Sequence, residues 1–372
     1  MYKRQDIDLD AHNLKAWVYG HVHINHITRH GNALAICTST LARGGIDHAT
    51  SAFRKIGMDS KGNISSELRY AYIDKSIVIA SAQNEQAPVT KDGKLQVSVN
   101  TYSTVTQTAK VTYAVYMEDK AVTPQRSMTR QTDFNWTDAV KLPAECEGRT
   151  VTLKATATFK NGETARAESF FTYTSTPVEV KTGDNWTNLG GNPQHVAVTK
   201  DTLNLPIRLA WVKNMGSNVY MTSPIVVDGK VFAATMDENI QGKSSVTAMD
   251  ATDGSLCWKY STRSSVKNTI VSAQGLIFAQ DIWGYLYAID AKSGKLAWEK
   301  KLDVAVVPGL EDGLAANKTT VFAGAGKGLV ALDARTGREI WKNSSWSQRE
   351  GTTCTLSLSP DEDVLIGSVQ WG

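Results

Sequence analysis

The sequence predicts a mainly β protein made of several domains. A chain of 372 residues is longer than a typical single domain, and 41% hydrophobic residues are enough for more than one core. A motif ending in tryptophan recurs about every 40 residues in the C-terminal half, which predicts an incomplete β-propeller of about four blades. Period-two alternation through residues 77–173 predicts a β-sandwich before it.

The repeat follows the pattern Ala-x-Asp-x-x-x-Gly-x-x-x-Trp and occurs three times. The apolar run before each aspartate predicts a strand. The aspartate is expected to accept hydrogen bonds from the N–H groups of a turn, and the glycine to take the positive φ of that turn. The tryptophan closes the next strand and is expected to wedge between neighbouring sheets. We assign a structural role to all nine residues: Asp250, Gly254, Trp258, Asp290, Gly294, Trp298, Asp333, Gly337 and Trp341.

These repeats resemble the tryptophan-docking motifs of PQQ-like, quinoprotein-type β-propellers. The stretch from Asp184 to His195 is similar to the opening of such domains. The resemblance implies seven or eight blades, and Gly367–Gly372 align with Ala279–Gly284 inside a blade, so a truncated propeller is expected. The family includes dehydrogenases that bind pyrroloquinoline quinone and many proteins that do not. The adjacent cysteine pair of the alcohol dehydrogenases is absent, and we expect no quinone.

The middle of the chain alternates as half-buried strands do. Leu95, Val97 and Val99 form one such series. Asn161-Gly162 lies between two alternating runs and predicts a type I′ hairpin turn. About 100 residues of this kind predict an immunoglobulin- or fibronectin-like sandwich, without the disulfide of antibody domains because Cys146 has no partner there. A spacer role is expected for it.

The N-terminal piece contains two histidines at the end of a predicted strand. Leu14, Ala16 and Val18 alternate, Gly20 permits a turn, and His21 and His23 follow. Paired imidazoles at a sheet edge are good ligands for divalent transition metals.

This Gly-His-x-His resembles the last metal-binding motif of calcineurin-like metallophosphoesterases, and the region to residue 74 resembles the C-terminal end of that α/β domain. The resemblance implies that His21 and His23 each bind one ion (Mn, Fe or Zn) of a two-metal centre that hydrolyses phosphate mono- or diesters. The upstream motifs of the family are missing, and Asp6, Asp8 and Asp10 do not replace them. The chain alone is therefore expected to be inactive. Structural roles are expected for His26, His30 and His48.

The net charge, the apolar runs and the cysteine spacing limit the classes of partner and site that the chain can have. The formal net charge is +3, which does not indicate a nucleic-acid partner, and no apolar run is long enough for a membrane span or a signal peptide. The four cysteines lie far apart and are expected to be buried apolar residues, with a Cys257–Cys354 disulfide as a weaker alternative.

Three functions remain open at this stage. The first is a fragment of a phosphoesterase whose substrate is a phosphoester. In this interpretation residues 1–74, 75–177 and 178–372 form three domains. The second is a non-catalytic extracytoplasmic propeller that binds a protein or glycan. The third is a quinoprotein-type oxidoreductase. A periplasmic or extracellular location is expected from the architecture.

Overall fold

The computed structural model describes residues 11–21, 23–30, 32–45, 50–203, 205–219, 222–237, 243–304, 313–347 and 355–367. Its N-terminal unit is a small sheet and a hairpin. In the sheet, the central strand pairs in parallel with the first strand and antiparallel with the second. The hairpin follows directly. The strands are β1 (Ala16–Tyr19), β2 (His26–His30), β3 (Ala33–Cys37), β4 (Ala52–Met58) and β5 (Ile64–Tyr70).

The second unit is a sandwich of two antiparallel sheets. One sheet has the order β11-β12-β7-β6, the other β10-β8-β13-β14 with β9 beside β8. Apolar side chains of alternate positions meet between the sheets, as the sequence predicts, and bury Leu95, Val97 and Val99. The strands are β6 (Ser76–Ile79), β7 (Leu95–Tyr102), β8 (Thr108–Met117), β9 (Lys120–Ala121), β10 (Arg126–Ser127), β11 (Thr129–Arg130), β12 (Asn135–Val140), β13 (Thr150–Phe159) and β14 (Thr164–Thr172), with a 3₁₀ turn at Ala144–Cys146.

The turn between β13 and β14 differs from the predicted type. Gly162 has φ 88°, but Asn161 is not among the residues with positive φ. The Gly162 N–H donates to the Phe159 carbonyl oxygen at 3.0 Å, and the Phe159 N–H donates to Glu163 at 2.9 Å. This is the pattern of a type I turn followed by a left-handed glycine, so the type I′ prediction is wrong while the hairpin itself is confirmed.

The C-terminal unit contains three four-stranded antiparallel sheets, here called blades 1, 2 and 3, and a two-stranded piece. Each blade runs in chain order from an inner to an outer strand. The strands are β15 (Ile225–Val227), β16 (Lys230–Ala234), β17 (Ser245–Asp250) and β18 (Leu256–Ser261) in blade 1; β19 (Val271–Ala273), β20 (Leu276–Gln280), β21 (Tyr285–Asp290) and β22 (Leu296–Lys301) in blade 2; β23 (Ala315–Ala316), β24 (Thr320–Gly324), β25 (Lys327–Asp333) and β26 (Glu339–Ser347) in blade 3; and β27 (Ser357–Leu358) and β28 (Leu365–Ile366). A 3₁₀ turn spans Leu189–Gly191.

The blades pack side by side. One apolar cluster joins blades 1 and 2, and a second joins blades 2 and 3. The inner strands β15, β19 and β23 are neighbours in that order, which places the blades around one side of a common axis. An Asp-Gly pair between two alternating apolar runs predicts a tight hairpin turn, and Asp228-Gly229 forms it: both residues have positive φ, 48° and 71°.

One segment outside the repeats ties the inner strands together. Trp186 pairs with Val226 of blade 1. Asn188 is fully buried; its side-chain oxygen accepts from the Ala316 N–H of blade 3 at 3.0 Å, and its Nδ2 donates to the Ala316 carbonyl at 3.2 Å. A buried amide that satisfies both partners in this way holds blades 1 and 3 in register across blade 2. Within the described residues, no helix has the length and hydrophobicity needed to cross a bilayer.

Candidate functional site: a cleft where three units meet

The Asp-x-x-x-Gly turns of the three blades share one geometry. In blade 2, the Asp290 carboxylate accepts the Ser293 N–H at 2.7 Å, and the Gly294 N–H donates to the Asp290 carbonyl at 2.9 Å. The hydroxyl and the N–H of Ser293, which both donate to this carboxylate, lower the pKa of Asp290. Asp333 accepts the Thr336 N–H three residues later in the same way, whereas Asp250 accepts the Thr252 N–H two residues later. These carboxylates therefore fix turns.

Trp211, Trp258 and Trp298 each dock onto the Asp-x-x-x-Gly turn of the blade that follows. The indole N–H donates to a carbonyl oxygen at 2.9 to 3.1 Å, and the ring covers the turn glycine so closely that a Cβ there would lie 2.5 to 2.7 Å from ring atoms. Both the positive φ and this contact require glycine. Trp341 is 39% exposed, whereas Trp258 is 9% exposed. The docked pairs are Trp211 on Ala251 and Gly254, Trp258 on Ala291 and Gly294, and Trp298 on Ala334 and Gly337.

The predicted metal ligands lie on an exposed turn. The His23 N–H donates to the Gly20 carbonyl at 3.1 Å, so the predicted turn exists, but its positive φ belongs to His23 at 55°. His21 and His23 are both exposed. Nowhere in the described residues do three His, Cys, Asp or Glu side chains come together in a way that could hold a metal ion. His26 is buried; His48 and the three N-terminal aspartates fall outside the described ranges.

A cleft of about 720 Å³ opens where the hairpin, the sandwich and blade 1 meet. Its volume is in the range of small-molecule sites, roughly 300–1,000 Å³. It is lined by parts of β5, β6 and β7, by residues 132–135, by the 214–219 segment and by Met236, Asp237 and Lys243 of blade 1. We call it the junction cleft.

The floor of the junction cleft is the outer face of the β6-β7-β12 sheet. Val78, Asn100 and Asn135 lie side by side across the three strands. They occupy the positions that alternate with the buried Val97 and Val99. The same alternation that fills the sandwich core therefore turns these side chains toward the cleft.

Three aromatic rings form one wall. The rings of Tyr102 and Phe134 stack with centroids 5.2 Å apart, and Tyr70 lies 5.7 Å from Tyr102 and 6.2 Å from Phe134. Arg69 lies 5.7 Å from the Tyr102 ring and donates to the Thr104 carbonyl at 2.8 Å. The Tyr102 hydroxyl accepts the Tyr70 N–H at 2.8 Å, and partial burial raises the pKa of Tyr102. These contacts fix the orientation of the rings without a ligand.

One polar atom at the cleft is buried without a partner. Asn135 is 3% exposed, and its Nδ2 donates to Ser98 at 3.0 Å and to Asn100 at 2.7 Å. Its Oδ1 accepts no hydrogen bond. A buried carbonyl oxygen left unpaired costs about 1–3 kcal/mol, which marks the position as one where an N–H or O–H donor is missing.

Hydrogen bonds across the units keep the cleft in shape. The Asn218 Nδ2 donates to the Tyr70 hydroxyl at 2.7 Å, between blade 1 and the hairpin. The buried Lys267 donates to the Asn25 carbonyl at 3.0 Å, and the Trp283 indole donates to the Ile27 carbonyl at 3.1 Å. The N-terminal unit is thus fastened to the loops of blades 1 and 2.

A buried carboxylate orders the loop that carries Trp283. Asp281 is fully buried, accepts the Tyr287 hydroxyl at 2.7 Å, and accepts the N–H groups of Trp283 and Tyr285 at 3.0 Å each. Burial raises the pKa of Asp281, while these three donors favour its charged form. We assign it a positioning role.

Known proteins match the repeat region. A family model described as "Outer membrane protein assembly factor BamB" matches residues 208–361. The quinohemoprotein alcohol dehydrogenase of Comamonas testosteroni is 29% identical over 134 residues, which is 33% of this chain and 18% of that protein. The 1-butanol dehydrogenase (cytochrome c) of Thauera butanivorans is 31% identical over 110 residues, which is 27% of this chain and 16% of that protein.

Residues 208–361 match the repeats of PQQ-like, BamB-type domains. Among solved structures, BamB of Moraxella catarrhalis overlays with a TM-score of 0.34 and 17% identity, covering 52% of this chain and 54% of that one. The chain spans less than one fifth of the length of the curated relatives named above.

Two expectations from the sequence are corrected by these relatives. The hydrolase, metallophosphoesterase assignment with Mn, Fe or Zn is wrong, because the matched relatives are quinohemoprotein dehydrogenases and a family described as BamB. His21 and His23 are exposed and join no cluster of metal ligands in the described residues. The expectation that pyrroloquinoline quinone is foreign to this propeller is also wrong, because the relatives of the PQQ-like domain are quinohemoprotein dehydrogenases.

The cysteines give a smaller correction. Cys37 and Cys146 are buried, as predicted, but Cys257 is exposed. It precedes the inward-facing Trp258 on β18 and therefore points to the opposite side of the outer strand. Cys354 lies outside the described residues.

Sequence reasoning missed the junction cleft. The polar positions of β7 carry the available signal, because Ser98, Asn100 and Tyr102 alternate with the apolar residues that predict the sandwich core. Nothing in the sequence indicates that this face meets Tyr70 and Asn218, which lie far away along the chain.

Proposed function

We propose that this chain is a non-catalytic, extracytoplasmic binding protein, in which the PQQ-like domain and the sandwich together build the ligand site. The observation that carries the proposal is the preformed junction cleft with the unpaired, buried Oδ1 of Asn135 at its floor. A pocket with fixed aromatic walls and a small number of oriented polar groups is the usual form of a small-molecule site.

The chemistry of the lining favours binding over catalysis. Its acidic groups are engaged or solvated: Glu67 pairs with Arg69 at 3.0 Å, and Asp133 pairs with Arg130 at 2.6 Å while remaining well exposed. Asp237 accepts the Lys243 N–H at 2.7 Å. The other polar side chains named at the floor are amides and hydroxyls. Such groups hold a ligand by hydrogen bonds and do not transfer protons near neutral pH.

A blocked cleft tests the proposal. Val78 is 50% exposed on the floor, so Val78→Trp is expected to fill the cleft without disturbing the core. The matched control is Val105→Trp, at a residue that is 78% exposed and not part of the lining. Ligand-observed NMR with a library of small fragments is expected to give hits that Val78→Trp loses and Val105→Trp keeps. Fragments that bind both variants equally, or no hits with the wild-type chain, would contradict the proposal.

A quinoprotein-type oxidoreductase is the second candidate, favoured by the names of the matched relatives. A quinone with three carboxylates needs several cationic or N–H donors. Lys267 is the buried cation that the described loops of blade 2 contribute, and it donates to Asn25. Titration of the protein with pyrroloquinoline quinone, followed by absorbance and by equilibrium dialysis, would support this candidate if binding is stoichiometric.

We also propose three domains, at 1–74, 75–177 and 178–372. The middle one has the strand orders β6-β7-β12-β11 and β8-β13-β14 in its two sheets, which supports an immunoglobulin-like sandwich. A periplasmic or extracellular location follows as part of the same proposal, supported by the relation to a family described as an outer membrane protein assembly factor.

A further inference from the structure

We infer that the junction cleft binds a short neutral saccharide. This inference rests on the proposed binding function and specifies its ligand class. Three features of the cleft carry it: the stacked Tyr102 and Phe134 rings, the amide side chains of Asn100 and Asn135 on the floor, and the near balance of the charges at the rim.

The aromatic wall matches the apolar face of a sugar ring. A pyranose presents C–H groups on one face, and these pack against the negative face of an aromatic ring. Tyr102 and Phe134 are half-buried, and Arg69 and the Tyr70 N–H hold Tyr102 in place. A platform that is ordered before the ligand arrives loses little conformational entropy on binding.

The amides match the hydroxyl groups of a sugar. Each hydroxyl both donates and accepts a hydrogen bond, and an amide side chain offers both functions. The Asn135 Oδ1 lacks a donor, and the exposed Asn100 beside it accepts from Asn135 through its oxygen. A sugar hydroxyl that donates to the Asn135 oxygen would satisfy the one buried group at the floor that the protein leaves unpaired. A small local movement is needed to open that oxygen to the cleft.

The charges at the rim give anions no advantage. Glu67, Asp133 and Asp237 contribute three carboxylates to the lining and Lys243 contributes one ammonium group, while Arg69 pairs with Glu67 and Arg130 pairs with Asp133. Because these charges are close to balance, phosphates, uronates and sialylated sugars would lose hydration without a net electrostatic attraction in return. The cleft volume of 720 Å³ leaves room for several sugar rings.

Titration calorimetry with defined oligosaccharides tests the inference. The probes are cellotetraose, maltotetraose and chitotetraose as neutral ligands and tetragalacturonate as the anionic one, preceded by an array of neutral and acidic glycans to find the preferred sugar. Phe134→Ala is expected to weaken binding of the neutral ligand at least tenfold, because it removes half of the platform. Tyr72→Ala removes an aromatic that is 75% exposed and does not line the cleft, and it is expected to change the affinity less than twofold.

A charge variant gives a second, independent readout that does not depend on the aromatic core. Asp133→Lys replaces an exposed carboxylate of the lining by an ammonium group and is expected to increase the affinity for tetragalacturonate relative to that for the neutral ligand; an unchanged ratio of the two affinities would place the saccharide outside the cleft.

The outcomes separate this inference from the proposed function. If binding of the neutral saccharide is lost in both Phe134→Ala and Val78→Trp, the saccharide inference and the proposed function are both supported. Fragments or anionic sugars that bind in the cleft while neutral glycans do not would overturn the saccharide inference and leave the proposed function standing. Saccharide binding that survives both variants would place the sugar elsewhere and overturn the inference. A wild-type cleft that binds neither fragments nor glycans would overturn both.

Discussion

The blades and the junction cleft are built on opposite principles. In the blades, one contact between a tryptophan and a glycine turn repeats with nearly the same geometry, and each blade contacts its neighbour. In the cleft, no contact repeats. The lining side chains come from separate segments of the chain, which include Tyr70 and Lys243. Substitutions in the blades should therefore change stability, and substitutions in the cleft should change ligand binding.

The largest expected effect is the loss of a docked tryptophan. Trp258 is 9% exposed, packs against Phe232 with ring centroids 5.6 Å apart, and covers Gly294. Trp258→Ala is expected to lower the free energy of unfolding by about 3–5 kcal/mol, because it leaves a cavity between blades 1 and 2. Urea unfolding followed by circular dichroism measures the change.

The same motif provides the control. Trp341 is 39% exposed, so Trp341→Ala removes less buried surface and is expected to cost much less. Equal losses for Trp258→Ala and Trp341→Ala would show that docking onto the next blade does not carry the stability of the repeat.

The turn glycines separate backbone strain from docking. Gly294 and Gly275 have almost the same φ, 72° and 73°, but a Cβ at Gly294 would lie 2.7 Å from the Trp258 ring, whereas at Gly275 it would meet nothing within 4 Å. Both alanine variants lose stability from the left-handed conformation. Gly294→Ala is expected to lose roughly 1–3 kcal/mol more, from overpacking. Thermal unfolding compares them, and equal shifts in Tm would remove the steric part of the explanation.

These contrasts explain which parts of the structure the sequence could predict. Asp290, Gly294 and Trp298 recur at fixed spacing, and each acts within its own turn or on the next blade, so local chemistry predicts them. The turn types were less predictable: Asp228-Gly229 forms the expected turn, but Asn161-Gly162 does not, because only Gly162 takes a positive φ. At Asn161-Gly162, the backbone hydrogen bonds at Phe159 that close the hairpin decide which turn type forms.

The cleft was not predictable because its residues have no common pattern. Tyr70 and Asn218 meet through a 2.7 Å hydrogen bond across 148 residues of chain. The phosphoesterase interpretation was wrong for a related reason, because two histidines in a short motif say nothing about the further ligands that must join them. His21 and His23 remain on an exposed turn.

A conservative change at the junction is expected to have an intermediate effect. Tyr70→Phe removes the hydroxyl that accepts from Asn218 at 2.7 Å and keeps the aromatic ring of the cleft wall. The free energy of unfolding is expected to fall by about 0.5–1.5 kcal/mol, the usual net value of one hydrogen bond. Tyr116→Phe, in the other sheet of the sandwich and under Lys154, is the matched control. Denaturant titration of both variants tests whether this contact joins the units, and no difference between them would argue against it.

The smallest expected effect concerns an ion pair between the sandwich and blade 1. Lys91 lies 2.5 Å from Asp253, and this ammonium lowers the pKa of Asp253 to about 2. Because the folded pKa lies below the unfolded value of about 3.9, the ion pair contributes to the free energy of unfolding above that pH, and this contribution is lost as the pH falls through about 2.

Lys91→Met is expected to raise the pKa of Asp253 toward its ordinary value of 3.8, as followed by carboxyl NMR titration. Lys94→Met should instead raise the pKa of Asp92, because the Lys94 ammonium lowers that pKa to about 2. It should leave the pKa of Asp253 unchanged. If neither variant moved the pKa of Asp253, the main cause of its low pKa would be the Ser255 N–H, which donates to its carboxylate at 2.8 Å. The ion pair would then add nothing to the contact between the two units.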